Sequence, residues 1–307
     1  MIRYHTPVML DQVVEALRPA AGKTFLDGTI GGGGHAEALL DRIGPDGKLI
    51  GLDVDDEALA AAAERLARFG ERVLLIRANY SEMRRVCENL GGVDGVLLDL
   101  GVSSRQFDAA ERGFSFQKDA PLDMRMDRRL ERTAADILRE ASYEELARIF
   151  RVYGEEPAAK RLAATIVQAR ERQPITRTRQ FAELIERVKG RGRRNLHPAT
   201  QAFQALRIVV NDELAQLNCG LDAALDVCRP GGRLAVIAFH SLEDRIVKDF
   251  MRRKSAECLC PPGFPACRCG QRRQLRLVAR KPIWPDATEV DCNPRARSAR
   301  LRVAEKL

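Results

Sequence analysis

The sequence predicts an α/β protein: a mostly parallel sheet with helices on both faces, interrupted by a helical insertion. Three observations carry this reading. Short apolar runs alternate with amphipathic segments from Thr24 to Leu98 and resume at Arg233, the strand-then-helix order that builds parallel sheets. A turn with five glycines in seven positions, Gly28 and then Gly31, Gly32, Gly33 and Gly34, joins the first run to the first helix behind it. Between the two alternating stretches, residues 105–198 show helical periodicity without a strand, which marks an inserted subdomain. The expected organisation is a discontinuous α/β domain, residues 1–104 with 199–307, and a helical subdomain at 105–198.

Taken in order, residues 7–18 read as an opening helix, with Pro7 at a favoured early position and Val8, Leu10, Val13, Val14 and Leu17 on one face. Thr24, Phe25 and Leu26 form the first strand, and residues 36–43 form the helix behind the glycines. Strand–helix pairs follow at 49–52 with 56–69 and at 73–76 with 81–90, and then a strand at 93–98. The insertion opens with an Arg-rich segment at 105–132 and continues as helices at 133–150, 157–171 and 178–188. One long helix is expected over 199–228. Pro230-Gly-Gly232 then turns into a strand at 233–239, and Ser241 would cap a helix at 242–254. Residues 274–278 and 299–303 are the last strand candidates.

The composition fits a soluble globular protein: 307 residues, 45% apolar and 31% charged. No apolar run approaches the length of a membrane span, so no membrane is expected as partner. The segment Met1-Ile-Arg-Tyr-His-Thr-Pro-Val8 lacks the pattern of a secretory signal, so the expected compartment is the cytoplasm. A net charge of +8 permits nucleic acid as a partner, and the basic, Gly-loosened stretch from Arg187 to Arg194 reads as a loop able to meet phosphates. Eight cysteines in such a chain are not a disulfide framework. Four of them, Cys258, Cys260, Cys267 and Cys269, form two close pairs that suggest a tetrahedral thiolate site for structural zinc. The one-residue spacing inside each pair is tighter than usual, and a reduced Cys-rich loop is the alternative.

Ligands of open parallel sheets sit beyond the carboxyl ends of the strands. That rule singles out the residues from Asp27 to His35, then Asp53, Asn79 with Tyr80, and the stretch from Asp99 to Ser104. Asp53 ends the second strand about 20 residues past the glycine turn, where an acid takes a ribose hydroxyl pair. This reads as a nucleoside-cofactor site. Gly31-x-Gly33-x-x-Ala36 fits a dinucleotide fingerprint, but Asp27 at the strand tip would repel a pyrophosphate. S-adenosylmethionine carries an ammonium and a sulfonium, which that acid would attract, and is preferred over a nicotinamide cofactor. Asp99 and His240 leave their strands at the same sheet edge.

Further residues resemble a known family along nearly the whole chain. The carrying segments are His5-Thr-Pro-Val, Asp27-Gly-Thr-Ile-Gly-Gly-Gly-Gly-His35, Leu98-Asp-Leu-Gly-Val-Ser-Ser104, Glu111-Arg-Gly-Phe-Ser-Phe116 and Pro121-Leu-Asp-Met-Arg-Met126. Tyr153-Gly-Glu155, His197-Pro-Ala-Thr200, Phe239-His-Ser-Leu-Glu-Asp-Arg245 and Asn293-Pro-Arg-Ala-Arg-Ser298 complete the set. Together they resemble the bacterial small-subunit rRNA cytosine-N4 methyltransferases, the RsmH or MraW family. The resemblance implies a Rossmann-like methyltransferase sheet, S-adenosylmethionine as donor, and 16S rRNA within the small ribosomal subunit as partner, with a cytidine near the decoding site as acceptor. It assigns Gly33, Gly34 and His35 to the methionine part of the donor, Asp53 to the ribose and Tyr80 to the adenosine. Asp99 and Gln106 complete that pocket. The family carries Phe where this chain has Tyr80, so stacking is kept and a hydroxyl is added.

The chemistry then asks for an acceptor on the N4 amine, whose lone pair is delocalised into the ring. Asp99 is the expected catalytic acceptor, with His240 or Ser241 fixing the base. Methylation at ring C5 would instead need a thiolate, and no cysteine follows a strand end near Asp99. A donor-binding assembly factor with dispensable catalysis is the competing reading, and DNA would offer the same N4 amine. The sequence leaves the oligomeric state open.

Overall fold

The computed structural model describes residues 7–190, 197–260 and 267–307. Its chain groups into two compact units, Met1–Gly101 with Leu214–Leu307, and Val102–Glu213. The first unit starts with α1 (Leu10–Leu17), β1 (Thr24–Asp27), α2 (Gly34–Leu40), β2 (Lys48–Asp53) and α3 (Asp56–Leu66). It continues with β3 (Val73–Arg77), α4 (Met83–Cys87) and β4 (Val93–Asp99). The second unit contains α5 (Ser104–Asp108), α6 (Ala134–Glu140), α7 (Tyr143–Val152), α8 (Ala159–Arg170), α9 (Thr178–Lys189) and α10 (Thr200–Asn211). Then come α11 (Glu213–Val227), β5 (Cys228–Ala238), α12 (Ser241–Ser255), β6 (Leu275–Leu277), α13 (Ala287–Cys292) and β7 (Arg300–Lys306).

The seven strands make one sheet in the order β3-β2-β1-β4-β5-β7-β6. Strands β1 to β5 pair in parallel, and β7 runs antiparallel to both β5 and β6. The continuous apolar runs of β4 and β5 are explained by helices covering both faces. Alternate residues go to opposite sides: Val96, Leu98, Leu234 and Val236 join one buried cluster, and Leu97, Ala235 and Ile237 join the other. Each such Leu, Ile or Val contributes roughly 1.5–3 kcal/mol when buried. The chain winds outward from β1 through β2 to β3, then returns to place β4 on the other side of β1. That reversal opens a crevice at the carboxyl ends of β1 and β4.

Several elements differ from the expected ones, each for a local reason. The single helix expected over 199–228 is two, because Asp212 between α10 and α11 adopts a left-handed conformation (φ 49°). Asp is among the few residues that tolerate this region. The helical unit accordingly reaches to Glu213 instead of residue 198, and Ala202, Phe203, Ala205 and Leu206 of α10 belong to its core. Residues 133–150 also form two helices. Ser142 starts the second with a reciprocal cap, its Oγ accepting from the Glu145 amide at 3.2 Å and Glu145 accepting from the Ser142 amide at 2.9 Å.

The Pro230-Gly-Gly232 turn is a bulge inside β5 rather than a turn before it. Val93 pairs with Cys228 and Gly95 with Arg233, so four residues of β5 face one of β4. In the helical unit, Phe150, Phe181 and Phe203 stack in series with ring centroids 6.2 and 5.2 Å apart. Beside them the wholly buried Glu156 carboxylate meets Lys189 Nζ at 2.5 Å, and that ammonium also donates to the Pro198 carbonyl at 2.9 Å. The basic loop expected at 187–194 lies partly outside the described residues, as do His5 and Thr6.

Candidate active site

The glycine turn is sewn to its neighbours by main-chain bonds. Gly28 donates to the Leu97 carbonyl at 2.9 Å and Ile30 to the Leu52 carbonyl at 2.8 Å. Gly33 precedes α2 with φ 77°, a conformation that favours glycine. At Gly34 the need is space: a Cβ there would lie 2.3 Å from the Pro7 ring. Close protein packing therefore explains part of what the sequence reading reserved for a ligand. His35 at the start of α2 is buried, and its Nε2–H donates to the Val8 carbonyl at 2.9 Å. Burial holds its pKa down to about 4, so the ring is neutral. Its Nδ1 lone pair lies 3.8 Å from Asp99 Oδ2.

Three carboxylates converge at the strand ends. Asp27 ends β1, Asp53 ends β2 and Asp99 ends β4. Asp27 is 1% exposed and accepts the Thr29 amide at 3.1 Å, with the Thr29 side chain as a second hydrogen-bond partner. Burial, reinforced by the charge of Asp53, pushes its pKa up to about 7. Asp53 accepts the Gly31 amide and the Asp55 amide, each at 3.0 Å, and burial raises it to about 6. Asp99 is raised well above the ordinary range by burial, with Asp27 and Glu243 as like charges. Its Oδ1 is buried and has no hydrogen-bond partner among the described residues. Among the described residues no Lys or Arg pairs with any of the three. Such a cluster is mismatched to phosphate and matched to a ligand that brings positive charge.

Thr29 lies in the stretch from Asp27 to His35 but was given no role there; its hydroxyl accepts the Asp99 amide at 2.7 Å and fixes the end of β4 against the glycine turn. Its place inside the Asp-Gly-Thr run was the available signal. Tyr80 follows Asn79, which caps a short helical turn by accepting the Ser81 amide at 2.9 Å. The Tyr80 ring rests on Gly220 of α11, where a Cβ would come within 2.3 Å of Cδ2. No local pattern could have pointed to Gly220.

The cap of α12 is His240 and not Ser241. His240 Nδ1 accepts the Glu243 amide at 3.4 Å, and Glu243 accepts the amides of Phe239 and His240 at 2.8 and 3.2 Å. Imidazole geometry at an extended residue (φ −136°) suits this role, while Ser241 already has helical backbone as the first residue of α12. The His240 Nε2 is buried, 3.1 Å from Glu243 Oε1. Its three-residue spacing to Glu243 is the capping-box signature that the sequence displayed. Gln106 belongs to the helical unit, where its amide side chain accepts from the Ser103 amide at 3.2 Å. The sulfurs of Cys258, Cys260, Cys267 and Cys269 come together beyond the far end of α12. No helix among the described residues is long and apolar enough to cross a membrane.

Comparison with known proteins places this architecture. The chain is 53% identical over 307 residues to "Ribosomal RNA small subunit methyltransferase H" of Syntrophotalea carbinolica, covering 99% of this chain and 98% of that protein. It is 54% identical to the protein of that name in Geobacter sulfurreducens, covering 99% of each. Against that of Heliobacterium modesticaldum it is 51% identical over the full length of both. Residues 3–307 match the description of a single family throughout. With the strand order, the glycine turn and the acidic crevice in place, the chain belongs to the MraW methylase family.

Proposed function

We propose that this chain methylates the exocyclic N4 amine of one cytidine in 16S rRNA near the decoding site, using S-adenosylmethionine. The chain is an S-adenosylmethionine-dependent methyltransferase of small-subunit ribosomal RNA. The observation that carries the finer reading is the buried Asp99 Oδ1 at the crevice, an acceptor without a donor among the described residues. The bound donor supplies a methyl already activated by its sulfonium. What remains for the protein is alignment, charge and an acceptor.

The residues present fit that donor. Asp27 and Asp99 offer negative charge to an ammonium and a sulfonium. Asp53, tethered by two backbone amides, keeps lone pairs for ribose hydroxyls. Tyr80 offers a ring face beside the crevice, and Gly33, Gly34 and His35 line the start of α2. Asp99 accepts an N4–H, favouring the pyramidal amine and taking up the positive charge that grows on it. His240 acts as a positioning residue: through its cap it sets the first turn of α12 and hence Ser241, which meets the base. Gln106 is assigned to the donor pocket by family resemblance.

Transfer of labelled methyl to unmodified small subunits, free rRNA and DNA, followed by nucleoside mass analysis, tests this. N4-methylcytidine from rRNA is expected. Label in DNA or at ring C5 would overturn it, and tight donor binding with no transfer anywhere would favour an assembly factor.

A pH signature is also expected. In the free protein Asp27 and Asp53 hold protons up to about pH 7 and 6, whereas unfolded carboxyls ionise near 3.8. Folding stability from these groups therefore falls as pH rises from about 4 to about 7. A cationic donor favours the ionised forms, so binding near pH 6.5 releases protons and tightens as pH rises to about 8. Calorimetry in two buffers of different ionisation enthalpy measures the release. S-adenosylhomocysteine, without the sulfonium, shows a shallower dependence; equal and flat profiles would contradict the assignment.

A further inference from the structure

We infer that Cys258, Cys260, Cys267 and Cys269 hold one structural zinc ion just beyond the C-terminal end of α12. All four sulfurs lie within 4.8 Å of one another. Cys258 and Cys267 are 3.4 Å apart, Cys267 and Cys269 3.5 Å, and Cys258 and Cys269 3.8 Å. A regular tetrahedron with Zn–S bonds of about 2.3 Å has S···S edges of about 3.8 Å. The cluster is thus close to the size a zinc ion requires.

Burial cannot have gathered these side chains. Cys258, Cys267 and Cys269 are exposed and Cys260 is half-buried, so convergence removes little apolar surface from water. None is in a disulfide. Two backbone amides already point at the sulfurs: Cys260 donates to Cys258 Sγ at 3.3 Å and Leu259 to Cys269 Sγ at 3.4 Å. Amide donors of this kind stabilise thiolates bound to a metal. Four soft ligands in a tetrahedral set select zinc over harder divalent cations.

The setting makes the site structural. Four protein ligands leave no open position for water or substrate. The 15 residues of α12 separate it from His240 by roughly 20 Å, at 1.5 Å rise per residue. The returning chain is already pinned to the last turn of α12, with Gln271 Nε2 donating to the Arg253 carbonyl at 2.9 Å and the Gln274 amide to the Lys254 carbonyl at 2.8 Å. Zinc would close the connection between α12 and β6 on that anchor. Arg253, Lys254 and Arg272 line the cavity that Leu259 and Gly270 share beside the cluster, a cationic setting for the excess negative charge of a four-thiolate site.

The full chain, purified without chelator, decides this by elemental analysis with thiol titration. About one zinc per chain is expected in the parent and in the controls Cys219→Ser and Cys292→Ser, falling below about 0.1 in Cys258→Ser with Cys269→Ser. Should that variant fail to fold, stepwise mercurial titration of the parent replaces it, and zinc leaves as the four cluster thiols react. Cobalt substitution gives the intense visible bands of a tetrahedral thiolate site. A parent chain with freely reactive thiols and no zinc overturns the proposal, as does a disulfide within the cluster, stoichiometric iron, or zinc retained by the cluster variant.

Discussion

Asp99→Asn lowers methyl transfer by at least about 100-fold, the usual loss for one charge-stabilising group, yet leaves the protein at least as thermally stable as the parent at pH 8. Both halves follow from one geometry. The Asp99 carboxylate is one quarter exposed but carries a buried Oδ1, faces Asp27 and Glu243 as like charges, and among the described residues has no hydrogen-bond partner on that oxygen and no paired Arg or Lys. In the free protein its charge is a burden that an amide relieves. In the working complex the same charge takes up the positive charge developing on the amine. A structural residue at this position would give the opposite stability result. Steady-state rates with the donor varied separate the roles, because donor capture moves KM while acceptance of N4–H moves kcat. A variant with near-normal kcat and only weaker donor binding would remove Asp99 from the chemistry.

The second large effect is on stability and lies in the helical unit. Lys189→Met destabilises that unit by about 3–5 kcal/mol, the range for removing one partner of a buried ion pair. The Glu156 side chain is 0% exposed, and Lys189 Nζ is its ionic partner while bridging to the Pro198 carbonyl. Without the ammonium the carboxylate must stay charged in a dry site or bind a proton. Glu156→Gln combined with Lys189→Met should recover most of the loss, because the buried charge leaves with its partner. Urea melts of the two variants measure this. Equal stability of the double and single variants would show that the pair is not what holds α9 in place.

Much of this was legible in the residues, and the gaps have physical causes. Strand cores showed themselves as apolar runs, since a sheet covered on both faces leaves no polar position inside it. Asp53 and Asp99 were visible because strand ends in a parallel sheet all deliver to one edge. The break at Asp212 was hidden: the apolar period continues through it, and a single left-handed residue leaves no trace in periodicity. The cap on α12 was misassigned for a different reason. Ser is the commoner capping residue and drew the assignment, although the local spacing of His240 to Glu243 already matched a capping box, with His in the place usually held by Ser or Thr. Thr29 and Gly220 could not be ranked, because one works through a main-chain amide of β4 and the other by having no side chain under Tyr80. The cysteine pairs were legible in composition, whereas their convergence required three dimensions.

The place of β7 also bears on how the chain is made. Its residues 300–306 lie between β5 and β6, pairing with β5 from Arg233↔Glu305 to Ala238↔Arg300. During synthesis β5 emerges about 70 residues earlier, carrying Leu234, Val236 and Ile237 on an unpaired edge, a template for pairing with another nascent chain. The antiparallel strand that finally closes this edge is therefore a guard against aggregation as well as a part of the sheet. The period of exposure is set by the rate at which the ribosome traverses the segment that encodes α12, the cysteine cluster and β6.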